Sequence, residues 1–203
     1  MKRMTMYAAT GNLGYGFPEE SLRISLEFNP AFLGCDAGSC DPGPSCLGTG
    51  KAFVSRGAVK RDLRLLVKAG LEKKIPVLIG SAGGSGSNAG VDNVIEILRE
   101  IMAEENLHAK VAKVYAEQSH EYLKKKLHAG EIIPLDGAKD LTDIDIERSS
   151  HTVVCLGPEP FQKALGGGAD IVISGRTTDA SIYAAIPLMQ GCDPALVWHA
   201  SKI

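Results

Sequence analysis

Apolar residues along the chain fall into two alternating patterns, short unbroken runs and longer stretches with helical spacing. Ile75-Pro76-Val77-Leu78-Ile79, closed by Gly80, reads as a buried strand. Val59, Leu63, Leu66, Val67 and Leu71 before it mark one face of a helix, with Ser55 placed to cap it. Val91, Val94, Ile95, Leu98, Ile101 and Met102 mark a second helix face. Strands are predicted at Val111–Ala116, His151–Leu156 and Ala169–Ser174, with helices at Tyr122–Leu127, Pro158–Leu165 and Asp179–Met189. Nearer the start, Tyr7–Thr10 and Phe32–Cys35 read as strands around a helix over Pro18–Phe28. Ile132–Ser150 has the weakest pattern; Thr142 with Asp145 suggests either a capping box or a loop.

Strands alternating with helices imply βαβ units. The predicted fold is α/β, a mostly parallel open sheet of Rossmann-like type with helices on both faces. The 203 residues suit one domain spanning 1–203. A formal net charge of −2 and 5% aromatic residues speak against a nucleic-acid surface. No run of about 18 apolar residues exists to span a membrane. With no secretory signal behind Lys2 and Arg3, a cytoplasmic protein with reduced cysteines is expected.

In a parallel open sheet, ligands bind beyond the carboxyl ends of the strands. Those ends carry Thr10-Gly11, Asp36, Ser81, Glu117, Gly157 and Gly175-Arg176. The Gly11–Pro18 loop lets a ligand approach backbone, or is a plain turn before a proline-started helix. Cys35–Lys51 is long, glycine-rich and without pattern, and it holds Asp36, Ser39 and Asp41. The two aspartates suit a shared cation or divided acid and base roles; alternatively both bind nearby backbone N–H groups in turns. Gly80–Gly90, with Ser81, Gly83, Gly84 and Ser85, suits an anion at a helix N-terminus such as a phosphate, a carboxylate or coenzyme A. It lacks the Gly-Lys-Ser/Thr of a P-loop. Arg176 is placed to clamp a carboxylate, with Asp179 as the ion-pair alternative that would fix the turn. Glu117 is a weaker candidate. The C-x4-C-x5-C spacing of Cys35, Cys40 and Cys46 fits neither zinc nor an iron–sulfur cluster, so no metal ligands are assigned. A cysteine nucleophile served by His151 or His199 is a minor alternative.

The stretches TGNLGYGFPEES, GCDAGSCDPGPSCLGTGKAFVSR, VLIGSAGGSG, YAEQ, ADIVISGRTTDAS and LVWHASKI occur in this order and cover nearly the whole chain. In that combination the sequence resembles the acyclic terpene utilisation family. The resemblance implies a cytoplasmic catabolic protein of pathways that run through CoA thioesters and branched carboxylic acids. It marks Asp36, Ser39, Asp41, Gly83, Gly84, Arg176 and Asp179 as site positions without giving roles. It also implies a small companion protein, separate or fused, and a chain continuing past WHASKI. This sequence would then be the N-terminal part of the family domain, or one half of a split protein. Leu196, Val197 and Trp198 would face the missing surface. Cys40 and Cys46 depart from the family pattern.

The favoured reading is an enzyme or enzyme subunit acting on a small carboxylate or its CoA thioester by lyase or hydratase chemistry. Asp36, Asp41 and Arg176 are the catalytic candidates. Thr10, Gly11, Ser39, Ser81, Gly83, Gly84, Ser85, Glu117 and Asp179 are expected to bind substrate. Coenzyme A as substrate handle and a divalent cation are the groups considered, and a homo-oligomer or hetero-complex is expected. The alternatives are a non-catalytic binding or scaffold subunit that needs a partner and, last, a nucleotide-dependent oxidoreductase. The oxidoreductase reading wants an acidic residue about 20 positions beyond the glycine loop on a strand end. Glu100, Glu104 and Glu105 have helical spacing instead.

Overall fold

A computed structural model describes residues 3–38 and 44–203. Five strands, β1 (Tyr7–Ala8), β2 (Leu33–Gly38), β3 (Val77–Gly84), β4 (Val111–Val114) and β5 (Ile171–Ser174), form one sheet in the order β1-β2-β3-β5-β4. Every pairing is parallel. All carboxyl ends therefore lie along one edge.

The helices divide between the two faces. Helix α1 (Glu19–Glu27), α3 (Arg56–Lys73) and α4 (Asn88–Glu104) pack through Leu22, Leu63, Leu66, Val94 and Leu98 onto Leu33, Cys35, Val77, Ile79 and Ile173. Helix α7 (Glu159–Gly166) and α8 (Asp179–Met189) cover the other face, through Phe161, Ile182 and Ala185 against Leu78 and Val172. The split follows from topology. β1, β2 and β3 advance in one direction, so right-handed crossovers keep their helices on one side. β5 steps back between β3 and β4, which sends its helix to the other side. The α/β fold with helices on both faces is what the alternating pattern predicts.

Local signals explain the element ends. Ser55 Oγ accepts from Ala58 N at 3.3 Å to start α3, and Lys74 closes it in the left-handed region at φ +56°. Ser87 Oγ accepts from Gly90 N at 3.2 Å to start α4. Helix α5 (His120–His128) starts at Ser119. The ambiguous Thr142–Asp145 pair is a complete capping box on α6 (Asp143–Arg148).

Three expectations change. The Gly80–Gly90 loop is shorter, because β3 continues to Gly84 beside Gly38 of β2. His151–Leu156 is no strand; it crosses the carboxyl edge and touches the sheet only through bridges at Glu117–Val153 and Leu156–Thr177. Two helices carry no sequence expectation: α2 (Pro44–Thr49), inside the glycine-rich segment, and α9 (Pro194–Lys202). Pro194 at the first helical position and Asp193 accepting from Leu196 N at 3.1 Å were the available signals for α9. Among the described residues, no helix is long and apolar enough to cross a membrane.

Candidate functional site

The two-residue period of β2 decides which way its side chains point. Leu33, Cys35 and Ala37 enter the core under α1, α3 and α4, while Gly34 and Asp36 face α8. Gly34 makes room for a ring: a Cβ there would stand 2.6 Å from Tyr183 Cε1. Asp36, one pleat further, reaches the wall of a cavity of about 450 Å³. Thr10, Gly11, Asp179, Tyr183 and Lys202 share that wall. The strand ends of β1 and β2 and the first turn of α8 thus meet, although they are far apart in sequence. Tyr183 was missed in the sequence; its signal is the spacing, one helical turn after Asp179 on the same face.

Asp36 is 7% exposed. Its Oδ1 accepts from the backbone N–H groups of Ala37 (2.9 Å) and Gly38 (3.4 Å). Burial pushes its carboxyl up to about 6, and the like charge of Asp179 adds to this; the Ser81 hydroxyl and the positive charge of Arg176 act against it. Tyr183 is held above the usual tyrosine range, chiefly by burial and further by Cys35, Asp36 and Asp179.

Ser81 is fully buried at φ +47°, a region that costs a non-glycine residue about 1–2 kcal/mol. The kink turns its hydroxyl inward, where it accepts from Thr177 N at 3.3 Å and stands near enough to Asp36 to favour its ionised form. Ser81 N donates to Gly175 O at 3.0 Å, and Arg176 N donates to Gly86 O at 3.1 Å. β3 and β5, whose following helices lie on opposite faces, are thus tied together at the topological switch point. Gly86 permits the contact: it has φ +74°, and a Cβ there would lie 2.3 Å from Arg176 N. Arg176 forms no side-chain hydrogen bond or ion pair with another described residue, so its guanidinium is not spent on a turn with Asp179. Asp179 instead meets Lys202 Nζ at 3.3 Å on the surface.

The other candidates lie elsewhere. Gly83 packs against Gly90, Gly84 against the backbone at Ala52 and Phe53, and Ser85 Oγ bonds Ser87 Oγ at 3.1 Å. Glu117 stands past β4, across the β3 and β5 strands from Asp36 and so about 14 Å from it along the edge. Its Oε2 accepts from Asn88 N at 2.9 Å, at the start of α4. A carboxylate of the protein itself therefore sits on the helix end that the sequence offers to an anion. The Gly11–Pro18 loop is held in the same manner: Asp62 Oδ2 accepts from Gly14 N at 2.8 Å and Gly16 N at 2.9 Å. Asp62, on the buried face of α3, had no sequence signal beyond its position among apolar residues. Ser39 and Asp41 lie outside the described residues. Among the described residues, no three of His, Cys, Asp and Glu gather closely enough to hold a metal ion.

A family model, acyclic terpene utilisation family protein AtuA, matches residues 56–190, more than half of the chain. The chain belongs to the acyclic terpene utilisation family. The matched range holds Ser81, Gly83, Gly84, Ser85, Glu117, Arg176 and Asp179; Thr10, Gly11, Asp36, Ser39 and Asp41 precede it. No curated protein and no solved structure matches the chain significantly. Family membership ties the protein to acyclic terpene utilisation, and the chemistry has to come from the site.

Proposed function

We propose that the chain is an enzyme or enzyme subunit that moves a proton at the carbon beside the carbonyl of a small carboxylate or its CoA thioester. Lyase or hydratase chemistry is the reaction class. The observation that carries this reading is Asp36, a buried carboxyl raised to about 6 on the wall of a cavity. A group poised there is present in both protonation states near neutrality, as general acid–base catalysis requires. A volume of about 450 Å³ is in the range of small-molecule sites. The ionised Asp36 takes the proton while Ala37 N, Gly38 N and the Ser81 hydroxyl fix its direction. Arg176 offers its charge to the substrate carboxylate or the developing enolate. Tyr183, kept neutral, lines the same space.

Two measurements test this. Binding to the folded state raises the melting temperature. An acyl-CoA or branched-acid panel is expected to contain a ligand that does so for the unaltered protein and not for Arg176→Ala. In the assembly that turns substrate over, Asp36→Asn is expected to lower kcat by about 10²- to 10⁴-fold. The reading fails if Asp36→Ala and Arg176→Ala both leave turnover intact.

A further inference from the structure

At the opposite end of the carboxyl edge, the segment after α6 brings His151 to Glu117. His151 Nδ1 lies 2.6 Å from Glu117 Oε1, while Glu117 Oε2 accepts from Asn88 N at 2.9 Å. Asn88 Oδ1 in turn accepts from Glu117 N at 3.4 Å. Both ends of the carboxylate are therefore committed, and the imidazole is gripped by one nitrogen only. A carboxylate has no proton to give here, because Glu117 is held below the usual glutamate range: burial opposes this, and His151 and the Asn88 N–H outweigh it. The neutral imidazole must donate from Nδ1, which leaves the lone pair on Nε2.

The other nitrogen faces a space that a side chain would close. Gly50, at φ +63°, comes from the segment after α2, and a Cβ on it would stand 3.2 Å from His151 Nε2. Nε2 bonds no described residue, and the side chain is 28% exposed against 21% for Glu117. The ring is thus partly exposed, with Gly50 beside Nε2 and Glu117 at Nδ1.

We infer that Glu117 and His151 form a second proton-transfer point, separate from the Asp36 cavity, in which His151 Nε2 accepts a proton from water. In that step the O–H bond breaks and its electron pair stays on oxygen. Nε2 gains the proton, and the imidazolium keeps its Nδ1–H on Glu117. The water oxygen bonds to an ester or thioester carbonyl carbon as this proton leaves; the tetrahedral intermediate then breaks its C–O or C–S bond, and the departing alcohol or thiol takes the proton back from Nε2. Glu117 is the positioning residue, since it acts only through the ring.

The isosteric change Glu117→Gln separates this role from a structural one. The Gln carbonyl oxygen would take over the Asn88 N–H, which turns its NH2 toward His151 Nδ1. The imidazole would then accept at Nδ1 and carry its proton on Nε2, so the base is lost with the shape retained. Long-range ¹H–¹⁵N correlation of the imidazoles at about pH 8.5 reads the tautomer directly, with His151→Gln assigning the signal. His120 Nε2 lies 2.9 Å from the Ser149 carbonyl oxygen and must donate, which supplies an internal reference of the opposite tautomer. His151 is expected as the Nδ1–H form in the unaltered protein and the Nε2–H form in Glu117→Gln. Hydrolysis of p-nitrophenyl acetate, taken above the rate of His151→Gln, should fall about 10²-fold in Glu117→Gln. Asp36→Asn should leave the His151 tautomer in place, so failure of the Asp36 reading is seen separately. An Nε2–H tautomer in the unaltered protein overturns the inference. So does ester hydrolysis that proceeds equally fast in His151→Gln.

Discussion

Asp36 near the end of β2 and Glu117 past β4 are both partly or fully sunk carboxylates of one sheet edge, yet their protons are held in opposite ways. Asp36 has two backbone N–H groups and a serine hydroxyl, no cation in contact, and Asp179 as a like-charged neighbour. Burial wins, and the carboxyl rises to about 6. Glu117 is less buried, accepts from a helix N-terminus and is joined to an imidazole. There the partners win, and the carboxyl stays below its ordinary value. Asp62 adds a third arrangement: it is deeper still, at 1% exposure, and accepts from Gly14 N, Gly16 N and Arg61 Nε. What separates the three is whether each lone pair meets a donor that follows the chain into the site. A carboxylate closed in by donors holds structure together; one that also faces a cavity is open to exchange a proton.

The sharpest way to break this comparison is to remove Asp62. Asp62→Ala leaves two glycine N–H groups near α3 without acceptors and releases the loop that carries Leu13 into the core. A loss of about 3–4 kcal/mol in unfolding free energy is expected from urea titration. Asp62→Asn keeps one acceptor oxygen and should lose less. If Asp62→Ala unfolds like the unaltered protein, carboxylates do not anchor these loops.

Asp36 should show the reverse sign. Its folded pKa lies above the ordinary 3.8, so the folded state binds the extra proton between about pH 4 and pH 6. Stability is therefore fully present below the unfolded value and falls as pH rises toward 6. Asp36→Asn removes the charge that burial opposes. It is expected to raise stability by about 2–3 kcal/mol above pH 6 and to change it little below about pH 4. The melting temperatures of the pair across that range check the sign. A residue that stabilises the protein when its charge is removed, while turnover falls, marks a site kept at a cost in stability. A variant less stable at neutral pH would show that Asp36 is a structural carboxylate like Asp62.

The strand–helix alternation was legible in the sequence because each element carries its own period. The apolar spacing of Val59–Leu71 and Val91–Met102 names α3 and α4 without reference to anything else in the chain. The sheet-edge rule likewise pointed to Thr10, Gly11 and Asp36 separately, since it needs only the strand ends. What local pattern does not carry is which of these ends become neighbours. That depends on β5 inserting between β3 and β4, and on Gly34 admitting Tyr183 beside Asp36. Nor does it carry the internal partners of a glycine loop. The N–H groups at Gly14, Gly16 and Asn88 look open in sequence because Asp62 and Glu117 lie 48, 46 and 29 residues away. His151 was named only as a base for a cysteine, and its pairing with Glu117 was hidden for the same reason. It reads as the first residue of a strand, while its structural role comes from a crossing segment with only two bridges to the sheet.

The smallest effect belongs to Glu117, and it closes the comparison from the other side. Its folded pKa lies below the ordinary 4.5, so the stability it contributes is present above that value and is lost as pH falls through the lower folded one. Glu117→Gln keeps an acceptor for Asn88 N and gives up only the charge on the helix end and on the imidazole. About 1 kcal/mol of stability should go at neutral pH, the size of a charge at a helix terminus. The difference from the unaltered protein should shrink as pH drops below about 4.5. Chemical denaturation at pH 7 and pH 3.5 measures both ends of that curve. Opposite slopes for Asp36→Asn and Glu117→Gln would mean that the carboxyl edge holds one proton-exchanging carboxyl and one fixed charge. Parallel slopes would mean that position along the edge, and not the set of donors around each carboxylate, governs both.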